Sequence, residues 1–192
     1  MSERNNLYPI FLKAKQLDVL IIGAGKVGAE KLHFLLKSSP DANVEVVAID
    51  FNEACRELAK RHNIKLTQAE FSTVHLNGRS LVIAATNDKE LNRRIYCECR
   101  ENRTLVNVAD NPELCDFYLG GIVTKGDLKI AISTNGKSPV MAKRIRQYFE
   151  DGLPDNIDEL LINMNTYRKR LRGDFQSKVN KLNELTQNLI KN

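Results

Sequence analysis

The chain has 192 residues, 42% of them hydrophobic, enough to bury one sizeable core and carry an accessory segment. Its formal charge of +5 favours an anionic partner, but the basic residues are not interleaved with aromatics and form no nucleic-acid-binding motif, so a small polyanion is expected rather than nucleic acid. No apolar run approaches the roughly 20 residues of a membrane helix, and residues 1–6 are polar where a secretory signal needs an apolar stretch, so no membrane partner and a cytoplasmic setting are expected.

Residues 18–22 (DVLII) read as a short buried strand, followed by the glycine-rich turn GAGKVG at 23–28. A helix is expected over 26–37 and ends at the Ser-Ser-Pro-Asp of 38–41. A second strand follows over 44–49, then a helix over 52–62 with Asn52 at its N-cap. Strands over 64–68, 81–85 and 105–108, with a helix capped by Asp88 and running to 100, complete the series. Strands that alternate with helices of this length predict an α/β fold, a Rossmann-like doubly wound parallel sheet, occupying residues 1–116.

The character then changes. Residues 117–124 and 128–133 read as a hairpin closed by Lys-Gly-Asp at 125–127. Ser138-Pro139 has the form of a helix start, and that helix runs to 150. Gly152 and Pro154 mark a boundary. The last segment, 151–192, shows two apolar stripes at helical spacing: Ile157, Leu160, Leu161, Met164 and Leu171, then Phe175, Val179, Leu182, Leu185 and Leu189.

Gly23, Gly25 and Gly28 form a complete GxGxxG between a strand and a helix, and Asp50 stands at the end of the next strand, 22 positions past Gly28. That is the dinucleotide-binding arrangement. Gly23 allows the tight turn, Gly25 lets the backbone approach a pyrophosphate, and Gly28 lets helix and sheet pack closely. The helix start at Lys26-Val27 offers free N–H groups to phosphate. Asp50 would accept hydrogen bonds from the adenosine ribose and repel a 2′-phosphate, which selects NAD over NADP.

Thr86 follows the fourth strand, where loops line the crevice of such sheets, and is a candidate cofactor contact. Asp110 ends the fifth strand at the same edge and could move a proton. Asp110-Asn111-Pro112 is also good turn chemistry, so the pattern alone leaves both roles open. The four cysteines, Cys55, Cys97, Cys99 and Cys115, form no CxxC pair, and His33, His62 and His75 show no metal-binding spacing. Neither a metal site nor a disulfide framework is expected, and the cysteines read as free thiols.

Several stretches recur together in one family: YPIFL at 8–12, the GAGKVG turn, LVIAATND at 81–88, LNRR at 91–94, VNVADNPELCDF at 106–117 and AISTNGKSPVMAK at 131–143. On these the chain resembles precorrin-2 dehydrogenase, the stand-alone counterpart of the N-terminal module of siroheme synthase, over roughly residues 7–150. The resemblance implies oxidation of precorrin-2 to sirohydrochlorin with NAD taking the hydride, and in some relatives insertion of Fe2+ or Co2+ as a substrate. It implies Asp110 as the catalytic residue and cofactor contacts at Lys26, Val27, Ile49 and Asp50. It places Ser133 and Thr134 by the tetrapyrrole, and it implies a homodimer through the 117–150 segment.

Lys137, with Lys143, Arg144 and Arg146, lies near the implied substrate site, and Arg168, Lys169, Arg170 and Arg172 cluster in the tail. Either group could meet the substrate's carboxylates or be an ordinary solvated face. Two departures stand out: Gly120-Gly121 where the family often has proline and alanine, and Asn135 where it often has glycine, a change that a left-handed turn tolerates. No methyltransferase domain is expected. The alternative reading is a Rossmann module that senses NAD(H) without turnover.

Overall fold

The computed structural model describes residues 4–187. Its chain divides into two compact units, one running to Gly120 and including Asn135–Lys137, the other comprising Gly121–Thr134 and the residues from Ser138 onward.

The first unit is built on β1 (Val19–Ala24), α1 (Lys26–Ser38), β2 (Val44–Phe51), α2 (Glu53–His62), β3 (Lys65–Gln68), β4 (Leu81–Ala84), α3 (Lys89–Glu101) and β5 (Leu105–Val108). The five strands pair in the order β3-β2-β1-β4-β5, all parallel. The central strands are apolar on both faces, as a covered parallel sheet requires. Val19 and Ile21 of β1 face a core shared with Leu32 and Leu36 of α1 and Cys55 of α2. Leu20 and Ile22 face the opposite core with Ile95 and Cys99 of α3 and Leu76. The period-2 alternation of one strand therefore feeds two helical layers, and the doubly wound architecture expected from the sequence is present.

The helix starts follow local chemistry. Asn52 caps α2 by accepting from the Cys55 N–H at 2.8 Å, and Asp88 caps α3 by accepting from Glu90 and Leu91. Glu45 is the charged residue among the buried polar groups of this unit. Glu45 of β2 pairs with Lys65 across the β2–β3 register, accepts from Thr67 at 2.6 Å and is ion-paired with Arg79. Burial pushes its carboxyl up, but the bonds from Thr67, Lys65 and Arg79 outweigh that and hold it at about 2. The contacts fasten the edge strand β3 and the turn that ends at Arg79 to the sheet.

The second unit contains an antiparallel hairpin, β6 (Gly121–Lys125) and β7 (Leu128–Ile132), and the helices α4 (Pro139–Gly152), α5 (Ile157–Arg170) and α6 (Phe175–Thr186). Gly126 takes φ +56° in the hairpin turn, and Asp158 of α5 accepts the Asp127 N–H at 2.7 Å. Ser138 caps α4 by accepting from Met141 N–H, and Asp174 caps α6 by accepting from Ser177 N–H. Leu171 stands just past the end of α5, and the expected stripe residue Leu189 lies outside the described residues.

The first hairpin strand begins four residues later than 117. Residues 115–117 instead line the free edge of β5: Asp116 N–H donates to Val106 O at 2.8 Å, and Asn107 Nδ2 donates to Phe117 O at 2.8 Å. An exposed sheet edge is thereby covered, a use of the segment that strand periodicity does not reveal.

Candidate dinucleotide site

The strand order reverses between β1 and β4, and in such sheets the carboxyl ends at that point form the binding crevice. Four segments lie at that edge: the glycine turn after β1, the end of β2, and the loops after β4 and β5.

Gly23 has φ +97°, and a Cβ on it would lie 2.6 Å from Ala85 O and 2.9 Å from Thr86 N. Only glycine fits, because the turn crosses directly over the end of β4. At Gly28 a Cβ would lie 1.9 Å from Gly23 O, so α1 can start this close to β1 only without a side chain. Gly25 is different: a Cβ there meets nothing within 4 Å, and as N-cap of α1 it supplies no side chain to bond the helix's first amides. Open space, a bare backbone and a helix N-terminus with its positive dipole end fit a pyrophosphate. Lys26 and Val27 are the first two residues of that helix.

β2 extends to Phe51, so Asp50 lies inside the strand's last turn of pleat rather than just beyond it. The Ala24–Phe51 register pair and the bond from Asn52 N–H to Ala24 O at 3.1 Å tie this end to the glycine turn. The Asp50 side chain is 83% exposed and therefore open to a ligand, and Ile49 beside it is also exposed. Asp50 Oδ1 accepts the Phe51 N–H at 2.7 Å and faces Arg56 Nη2 at 3.3 Å.

Thr86 is held by a buried partner. Asn92 Nδ2 donates to Thr86 O at 3.0 Å, and Thr86 Oγ1 lies 2.8 Å from Asn92 Oδ1 while accepting from Asp88 N–H at 3.2 Å. The hydroxyl is thus engaged in shaping the loop. Asn92 was not singled out from the sequence, although it sits in the LNRR stretch; a lone polar residue on an apolar helix face was the available signal.

Asp110 follows β5 by two residues. Ala109 N–H still donates to Ala84 O at 2.9 Å, which keeps the β5 end beside the β4 end, and Asp110 itself is exposed with φ +60°. That conformation is uncommon for a residue with a side chain. The turn is braced by Cys115, whose Sγ accepts from Val108 N–H at 3.3 Å and lies 3.2 Å from Asn111 O. Burial pushes the Cys115 thiol up, so it stays protonated and can donate to that carbonyl. Cys115, a free thiol as the sequence reads, is therefore a strut of the Asp110 turn.

Asp116, a further carboxylate on the segment after β5, is taken up elsewhere: it pairs with Arg100 at 2.6 Å and accepts the Val106 N–H at 3.0 Å. His75 Nδ1 accepts the Ser72 N–H in a capping box.

Ser133, Thr134 and Lys137 follow β7. Ser133 and Lys137 are exposed, and Thr134 Oγ1 accepts the Ser138 N–H at 3.2 Å ahead of α4. Asn135 does take the left-handed conformation, φ +54°, followed by Gly136 at +72°. No group of metal-ligating side chains stands together among the described residues, and none of their helices is long and apolar enough to cross a membrane.

Comparison with known proteins agrees with this geometry. Residues 10–121 match a family described as putative NAD(P)-binding, and residues 125–151 match the sirohaem biosynthesis protein central family. Siroheme synthase 1 of Klebsiella pneumoniae is 38% identical over 164 residues, covering 85% of this chain and 34% of the relative. Siroheme synthase of Buchnera aphidicola is 33% identical over 172 residues, covering 90% and 36%. The chain thus spans about a third of the length of these curated relatives. Among solved structures, SirC, a precorrin-2 dehydrogenase, superposes with a TM-score of 0.76 at 22% identity, over 93% of this chain and 89% of that one; the likeness is one of fold. With its glycine turn, the open space at Gly25 and the strand-end Asp50 inside the matched region, the chain belongs to the putative NAD(P)-binding family.

Proposed function

We propose that this protein is an NAD-dependent precorrin-2 dehydrogenase, acting in siroheme formation. The observation that carries the chemistry is Asp110: an exposed carboxylate, in a strained left-handed turn, at the β5 end of the same sheet edge that carries the glycine turn. Strained backbone clusters where function demands it. The siroheme synthase relatives and the match to the sirohaem central family support the substrate class.

Bound NAD would accept the hydride. Gly23, Gly25, Gly28, Lys26 and Val27 would hold its pyrophosphate, and Asp50 with Ile49 its adenosine ribose. Thr86 would line the crevice through the loop that Asn92 fixes. Loss of two hydrogens from precorrin-2 also releases a proton, and Asp110 takes it as general base. Ser133, Thr134 and Lys137 are assigned to the tetrapyrrole, whose carboxylates suit a basic surrounding. Fe2+ or Co2+ insertion into the product is a further step in which Asp110 would serve the same proton-accepting role.

Segment 117–150 is assigned to homodimerisation, and the helices α5 and α6 of the segment from 151 onward to an accessory role, in a cytoplasmic enzyme. None of the described residues of α4, α5 and α6 is buried, and Val140, Met141, Tyr148 and Phe175 are exposed, which supports a covering partner. The test is to mix the purified protein with precorrin-2 and NAD and follow the tetrapyrrole absorbance, with and without ferrous or cobaltous ion. NAD-dependent conversion is expected. Cofactor binding with no conversion would favour the NAD(H)-sensing alternative.

A further inference from the structure

Asp50 does not stand alone at the end of β2. One turn into α2, the Arg56 guanidinium is held by three contacts: Nε donates to Phe51 O at 3.1 Å, the group lies 5.5 Å from the Phe51 ring centre, and Nη2 faces Asp50 Oδ1 at 3.3 Å. Nη1 takes no part in these contacts. Oδ1 of Asp50 is engaged by Arg56 and by its neighbour's N–H, while Oδ2 is left out of both. The Arg56 side chain is 48% exposed and that of Asp50 83%, so the guanidinium and the carboxylate are open to solvent side by side at the end of β2.

We propose that Arg56 and Asp50 act as one selectivity device, in which Arg56 positions the carboxylate toward a ribose and, once that carboxylate is gone, becomes the ligand of a 2′-phosphate. The inference rests on the dinucleotide reading of the site. Its physics has two parts. A carboxylate accepts from ribose hydroxyls and repels a phosphate at the same place. A guanidinium fixed within a few ångströms of that place is a preorganised phosphate partner, masked only by its ion pair with Asp50. The backbone carbonyl and ring contacts of Arg56 do not involve the Asp50 side chain, so the guanidinium stays anchored when the carboxylate is removed.

The test compares the unmodified chain with single, double and conservative double variants by equilibrium binding of NAD+ and NADP+ to the full chain, at fixed ionic strength. The unmodified chain is expected to prefer NAD+. Asp50→Ser is expected to tighten NADP+ and weaken NAD+, shifting their ratio by about tenfold or more, within the usual range of coupling between sites. In Asp50→Ser/Arg56→Ala most of the NADP+ gain disappears, and in Asp50→Ser/Arg56→Lys part of it remains and falls with added salt. If Asp50→Ser/Arg56→Ala keeps the full NADP+ gain, with thermal unfolding matching the single variant, the proposal is overturned. If the single and double variants unfold differently, the folded Arg56→Lys pair decides: a salt-independent gain equal to that of Asp50→Ser also overturns it. Failure of the unmodified chain to bind either dinucleotide would instead sink the site reading itself.

Discussion

The side chain and the backbone of Asp110 make separate demands. The left-handed backbone costs a non-glycine residue roughly 1–2 kcal/mol, so a residue retained only for the turn would be better as glycine. Asp110→Gly should therefore hold or raise the thermal midpoint while turnover of precorrin-2 collapses. Asp110→Asn keeps the shape and removes the base; turnover should fall by roughly 10²-fold or more, with NAD affinity essentially unchanged. Near-normal rates in Asp110→Asn would mean that the residue is there for the turn. At Gly25, where a Cβ has open space around it, Gly25→Val should fold normally and weaken both NAD+ and NADP+ in a titration, since the new side chain fills only the cradle.

At the scale of elements, the glycine turn and the β5 turn are built by opposite devices. The first relies on missing atoms. Gly28→Ala would drive a Cβ into the Gly23 carbonyl, so α1 must lift from β1, and a loss of about 3 kcal/mol or more is expected in denaturant unfolding, at the upper end for overpacking. The second relies on an added strut. Cys115→Ala removes the sulfur contacts to Val108, Asn107 and Asn111. We expect a loss of about 1–2 kcal/mol, together with a fall in turnover larger than any change in NAD affinity, because the Asp110 turn loosens while the glycine turn does not. Equal losses in both readouts would show that Cys115 supports the fold generally rather than that turn.

For the molecule as a whole, the buried Glu45 network and the exposed helices set two expectations. Glu45 titrates at about 2 in the folded chain against an ordinary 4.5. Its folded value is depressed, so its contribution is full above about pH 5 and is lost as pH falls through the interval down to about 2, a difference of roughly 3 kcal/mol. Glu45→Gln should abolish most of that acid dependence and destabilise the protein at neutral pH by about 3 kcal/mol, since Arg79 and Lys65 lose their counter-charge; denaturant melts between pH 2 and 7 read both effects. The unburied apolar residues of α4 and α6 lead to the second expectation, a homodimer in light scattering at micromolar concentration. A monomer under those conditions would remove the assignment of 117–150 as a dimerisation segment.

The sequence by itself determined the sheet, because five strand-like runs interspersed with three amphipathic helices are local signals. It also determined the cap residues Asn52, Asp88 and Ser138 and the glycine turn, since each depends on neighbours within a few positions. The residues that complete the candidate site were decided by tertiary structure. Arg56 reaches back to Asp50 and Phe51 across a strand–helix junction, Asn92 acts through a loop six residues away, and Cys115 braces a turn that precedes it by folding along the β5 edge. The same folding moved the hairpin's start from 117 to Gly121 and took Asp116 away from the crevice into its pair with Arg100. None of these leaves a periodic trace: a hydrogen bond between side chains depends on where the backbone turns, and composition and spacing carry no record of that direction.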